Sequence, residues 1–199
     1  MDSFLQELAQ ARPDPGGGAA TAFGARLGLA LLEKVMKLEG GRQPKRATES
    51  ALNWEKAELR LRDLSESLEK LQAEDVRAYS QLVAARASGE DLTAAVRQAV
   101  QPLGEIVKRA CEGLELLAWT GGHCKAHLVS DLLVACEFLG AALMGAYHIT
   151  CANLRLTATV AHRQGLRREF CQAYQKGEDL YHMVKAALVA REDGFDSCR

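Results

Sequence analysis

Apolar residues recur at intervals of three and four along most of this chain, the spacing that lines up one face of a helix. The most regular run is Trp54, Ala57, Leu61, Leu64, Leu68, Leu71, Asp75, Ala78, Leu82, Ala85. Its steps alternate between three and four, which is a heptad seam, and it predicts one long helix from about Lys45, after Pro44, to about Ala87. Asp75 is the only member of the seam that is not apolar.

The same spacing predicts the other elements. Ser3 is placed to cap a short helix carrying Phe4, Leu5 and Leu8. Two prolines and three glycines between Arg12 and Gly18 break it. A second helix is expected from about Ala19 to Leu38, stopped by Gly40-Gly41. On it Ala20, Gly24 and Gly28 form a small-residue ridge where another backbone could approach. Ser88-Gly89 ends the long helix, and Ser88 or Asp91 opens the next, which runs through Leu92, Val96, Val100, Leu103, Val107, Ala110, Leu114 and Leu117. Pro102 should kink or split it, and Thr120-Gly121-Gly122 should close it. After a loop at residues 122–129, Ser130 is a candidate cap for an apolar helix from Asp131 to about Ala158. A last amphipathic helix is expected from about Gly165 to Arg191, with a frayed tail at 192–199. The pattern describes an all-α fold: one bundle over residues 1–199 with one long heptad-patterned helix.

Composition agrees. The 199 residues include 32 Ala and 29 Leu against 11 Val and 2 Ile, which favours helix over strand. Twenty-five basic and 26 acidic residues give a formal net charge of −1, arguing against nucleic acid or an anionic membrane surface as the main partner. The stretch Leu132 to Leu154 is the one membrane candidate. It carries Glu137, His148 and Asn153, so a helix enclosed by others on all sides explains it better. Met1-Asp2-Ser3 lacks the basic and apolar start of a secretion signal, and the six cysteines form no C-x-x-C pair. Both point to a cytoplasmic protein with reduced thiols. His123, Cys124 and His127 have no partner pair at zinc-finger spacing, so no metal is expected.

Four features could carry chemistry. Asp75 places a carboxylate on an apolar seam, where burial raises its pKa toward the range of general acid–base work, although a polar seam residue can also simply set register. Pro15-Gly16-Gly17-Gly18 precedes a helix and offers backbone N–H groups to an anion, or else is a flexible turn; without a Walker Lys it is no nucleotide loop. Ser130-Asp131 opens the apolar helix, where a cap and an acid at the positive helix end are sufficient explanation in themselves. Arg42, Lys45 and Arg46 are either a solvated loop or an anchor for a polyanion. His148 and Asn153 lie five apart on one helix and do not share a face closely.

Taken together, these residues resemble the cyclodeaminase/cyclohydrolase family of folate enzymes. The resemblance is carried by Ser3-Phe4-Leu5 with Leu8-Ala9, by Pro13-x-Pro15-Gly16-Gly17-Gly18-Ala19-Ala20, and by Glu33-Lys34-Val35. Gly41-Arg42, Glu74-Asp75-x-Arg77-Ala78-Tyr79, Ser130-Asp131-Leu132, Gly145-Ala146-Tyr147 and Asn153-Leu154 follow in order. The proline–triglycine run is the most specific of these. The sequence departs from the family at Lys125 and Ile149, where many members have Asn, and lacks a proline in Ala85–Glu90.

The resemblance implies a helical homodimer acting on the N5–N10 one-carbon bridge of tetrahydrofolate without a further cofactor. The reaction is either closure of 5-formimidoyltetrahydrofolate with loss of ammonia or hydration of the methenyl form. It makes Asp75 the catalytic acid–base group. Pro15, Gly16, Gly17, Gly18, Arg42, Ser130, Asp131 and Asn153 become substrate-binding candidates for a folate with or without a polyglutamate tail. The alternative is a catalytically silent helical dimer serving as an interaction module. The dimer contact is expected at or near the long helix or the Ala20–Gly28 ridge.

Overall fold

A computed structural model describes residues 2–40, 49–89, 91–157 and 160–196. Among them are six α-helices and no strand: α1 (Asp2–Leu8), α2 (Gly17–Gly40), α3 (Glu49–Ser88), α4 (Thr93–His123), α5 (Val129–Leu154) and α6 (Val160–Asp196), with a 3₁₀ turn at Ala126–Leu128. Helices α2, α3, α4 and α5 form a ring in which each packs on the next, and α6 lies in the groove between α4 and α5. The long-helix seam faces this core. Trp54, Ala57, Leu61, Leu64, Leu68, Leu71 and Leu82 are all buried, and the helix ends at Ser88-Gly89 as expected, with Gly89 in the left-handed conformation (φ 72°).

Helices α2 and α5 run antiparallel, and the glycines show the register. A Cβ on Gly28 would press on the Ala135 carbonyl oxygen of α5 at 2.9 Å, and one on Gly145 of α5 would meet Thr21 of α2 at 2.5 Å. The Ala20–Gly24–Gly28 ridge therefore does not act as one line. Residues four apart drift by 40° around a helix of 3.6 residues per turn. Gly28 consequently faces α5, while nothing lies within 4 Å of a Cβ on Gly24.

Several boundaries differ from the sequence expectations. Helix α4 is not split at Pro102 and runs through Thr120, Gly121 and Gly122 to His123. Gly121 is small because Leu188 of α6 lies where its Cβ would be. It is a packing glycine and not a stop. Ser3 lies inside α1, and Ser130 caps nothing. Helix α5 starts at Val129 with Leu128 at the cap position and no side-chain cap bond, because the 3₁₀ turn feeds straight into it. Helix α5 ends at Leu154, short of Ala158. Helix α6 starts five residues before Gly165, an exposed glycine that the helix tolerates, and continues to Asp196.

The apolar helix α5 is long and apolar enough to cross a membrane by length and composition. It packs on α2, α4 and α6. It is not enclosed on all sides, however. Val134 (49% exposed) and Met144 (43%) stand on its open face with Ala141.

Candidate functional site

The core divides into two apolar clusters. The larger fills the ring and includes Leu71. The smaller, at the end where α2, α4 and α6 begin, contains Leu82, Val96, Ala99, Val100 and Leu154. Asp75 lies on α3 between Leu71 and Leu82 and is 6% exposed. Its carboxylate faces the first turn of α2. A Cβ on Gly18 would overlap it, so Gly18 is required there for space.

The local helix end explains the pairing. The first four N–H groups of a helix have no partner within it. In α2 the N–H of Ala20 already reaches the Gly16 carbonyl, while that of Ala19 donates to the Asp75 carboxylate. This hydrogen bond favours the ionised form, but burial outweighs it and pushes Asp75 up from 3.8 to about 6. A carboxyl poised there exchanges protons near neutral pH.

The turn before α2 is fixed from both sides. The Asp14–Pro15 peptide is cis and Pro15 is buried. Ser80, five residues beyond Asp75 on α3, donates a hydrogen bond to Asp14. Phe4 of α1 packs on Phe23 of α2 with ring centroids 4.9 Å apart. An open groove of about 600 Å³ runs between this turn, α1, α2 and α3, lined by Arg12, Asp14, Pro15, Gln72, Val76 and Arg77 among others. That volume suits a small organic ligand. Asp75 does not line the groove, which opens on the adjacent face of α3.

Helix α5 brings its last turns to the same end. A Cβ on Gly17 would meet Ile149 Cδ1 at 2.8 Å, so Ile149 covers the exposed Gly17 with hydrocarbon. Asn153, one turn later, is 6% exposed. Thr150 and Thr157 are buried at this end too, and the Oγ1 of each has no hydrogen-bond partner. Sequence reasoning passed over both threonines. Thr150 sits near the end of the apolar helix α5, one turn before Leu154, and a buried hydroxyl there was the available signal. His148, by contrast, is exposed and belongs to a different face.

The structure thus brings together Pro15, Gly16, Gly17, Gly18, Asp75 and the C-terminal part of α5. It does not bring Ser130 and Asp131 to them within one chain. Asp131 Oδ2 accepts from Lys34 Nζ at 2.8 Å. Lys34 lies sixteen residues along α2 from Gly18, about 24 Å at 1.5 Å per residue. Ser130 is exposed at that far end, where its hydroxyl has no capping role. Arg42, Lys45 and Arg46 lie outside the described residues. No group of three or more His, Cys, Asp and Glu suited to a metal occurs among the described residues.

The family model for formiminotransferase-cyclodeaminase matches residues 1–172 of this chain. The chain belongs to the formiminotransferase-cyclodeaminase family. No curated protein matches it. Among solved structures, this chain is similar to the crystal structure of formiminotetrahydrofolate cyclodeaminase from Thermotoga maritima. That likeness has a TM-score of 0.85 and 21% identity, and covers 96% of each chain. At that identity the likeness carries the fold, an all-α bundle, and the roles of individual residues rest on their own geometry.

Proposed function

We propose that this protein is a 5-formimidoyltetrahydrofolate cyclodeaminase in which Asp75 moves the protons. The observation that supports this reading is the Asp75 carboxyl, enclosed by two apolar clusters, set against the glycine-rich start of α2 and pushed by burial up to about 6. The family and the activity named for the Thermotoga maritima structure are consistent with it.

The chemistry balances on one carboxyl. Protonated Asp75 gives its proton to the imine nitrogen as N10 attacks the formimidoyl carbon. The C=N bond becomes single and the new C–N10 bond forms. The carboxylate then takes the N10 proton and passes it to the amino group. The C–N bond to that group breaks and ammonia leaves, while the N5–C–N10 bridge keeps the positive charge of the methenyl product. Asp75 ends ionised and is reprotonated from water. The backbone N–H groups of Gly17 and Gly18, at the positive end of α2, are suited to hold a polar edge of the substrate. The groove beside Pro15 is the space we assign to the rest of it.

The open face of α5 supports a second part of the reading, a homodimer in which Val134, Ala141 and Met144 are covered by a second copy. One observation favours the silent alternative: Ile149 places hydrocarbon over Gly17, where a substrate would need polar contact. The test is to mix the protein with 5-formimidoyltetrahydrofolate and follow the methenyl absorbance together with ammonia. Appearance of both is expected. Decay of added methenyltetrahydrofolate instead would assign the hydrolase, and no change in either the silent reading.

A further inference from the structure

Helix α5 ends beside the start of α6, and between them is a cavity of about 390 Å³. It lies on the α6 side of α5, away from Gly17 and Asp75. Arg155, Arg163 and Arg167 line it with Tyr147, His148 and Cys151, and no acidic side chain does.

Three guanidiniums around one cavity repel one another unless a counter-charge is supplied. None of the three makes an ion pair among the described residues. Arg167 donates to the Cys171 sulfur, and the Tyr147 hydroxyl is paired with the Cys151 thiol, contacts that leave the positive charge uncancelled. Tyr147 is itself held by stacking on Tyr174 at 4.6 Å between centroids. Glu178, beside Tyr174, is occupied by Tyr174 and Gln175. The Arg163 Nε is buried with no hydrogen-bond partner. A buried N–H without an acceptor is destabilising, and a cation makes it more so. Each guanidinium is a planar fork that fits an oxyanion through two parallel bonds. The volume exceeds what a single small anion needs.

We propose that this arginine pocket binds a ligand carrying two or more oxyanion groups, phosphate or carboxylate. The proposal does not depend on the reaction proposed above, and its test reads binding and not turnover.

Cys151 lines the pocket as a half-buried free thiol, so it reports on the charge around it. Cys111 is half-buried too, but Glu112 and Glu115 act on it, which makes it an internal reference. Alkylation of the full chain with iodoacetate and with iodoacetamide, read peptide by peptide, gives an anion-to-neutral rate ratio for each thiol. We expect that ratio to be about tenfold higher at Cys151 than at Cys111, the lower end of electrostatic enrichment in a charged cleft. Inorganic pyrophosphate or γ-linked triglutamate should slow labelling of Cys151 and not of Cys111. Protection by pyrophosphate alone identifies the phosphate source, by triglutamate alone a carboxylate chain. Calorimetric titration of the same two compounds measures binding directly, whatever the thiol's reactivity. Arg163→Gln and Arg167→Gln should each weaken binding at least tenfold while thermal unfolding stays cooperative. Failure of both compounds to bind at 10 mM in the calorimeter would overturn the proposal. So would unchanged binding in both folded variants.

Discussion

Replacing Asp75 by Asn separates what the residue does for activity from what it does for stability, because the two effects have opposite signs. The carboxyl has a pKa near 3.8 when unfolded and about 6 when folded. Between those values the folded protein holds a proton on Asp75 that the unfolded chain has lost. Stability therefore falls as pH rises through that window. Above it both states are ionised and the full penalty applies, about 2 units at 1.36 kcal/mol each, or about 3 kcal/mol. Integrated to pH 4.5 the penalty is only about 1 kcal/mol. Asn has no charge to bury and still accepts the Ala19 N–H. Asp75→Asn should thus be more stable than the parent by up to about 3 kcal/mol at pH 8, an increase in Tm of about 6–12 °C for a chain of this size. The advantage should shrink to about 1 kcal/mol at pH 4.5. Turnover should fall by about 10² to 10⁴, the usual contribution of one general acid–base group. Urea unfolding of both proteins at the two pH values, beside the methenyl assay, measures all of this. If Asp75→Asn is no more stable than the parent at pH 8, Asp75 is an ionised cap of α2 and burial has not raised its pKa. If turnover is also near parental, the catalytic role fails.

Four further outcomes are expected. In the cyclising direction kcat/KM should decline as pH rises past about 6, because protonated Asp75 starts the reaction, whereas a hydrolase using the carboxylate as base should show the opposite slope. Gly18→Ala drives a methyl into the Asp75 carboxylate and should remove most activity at a stability cost of about 1–3 kcal/mol, checked by turnover and urea unfolding. Asp131→Ala breaks only the half-exposed pair with Lys34, so it should change stability by less than about 1 kcal/mol and leave turnover intact. Loss of turnover would mean that a partner's α5 completes the site. Met144→Lys on the open face of α5 should convert a dimer to a monomer by light scattering at micromolar concentration, with the helical signal kept.

The periodicity of the chain was enough to establish an all-α bundle, the long helix and the exceptional place of Asp75. These are properties of the chain's own spacing: residues three and four apart share a face whatever packs against it. The proline–triglycine run likewise marked a helix start, because few other backbones suit it. Tertiary structure decided what spacing cannot encode, namely which end of which helix meets which. Ser130-Asp131 and Gly16–Gly18 were both substrate-binding candidates in sequence. Yet α2 and α5 are antiparallel, so one pair is carried about 24 Å from the other along the helix axis. Gly121 read as a stop signal and is instead the space that Leu188 needs, a distinction that depends on a residue sixty-seven positions away. The pKa of Asp75 was legible only in direction, since its size depends on how the two apolar clusters close around it. The arginine pocket was not legible at all. Arg155, Arg163 and Arg167 fall at an ordinary helix junction in sequence, and only the packing of the start of α6 beside the end of α5 makes their charges converge.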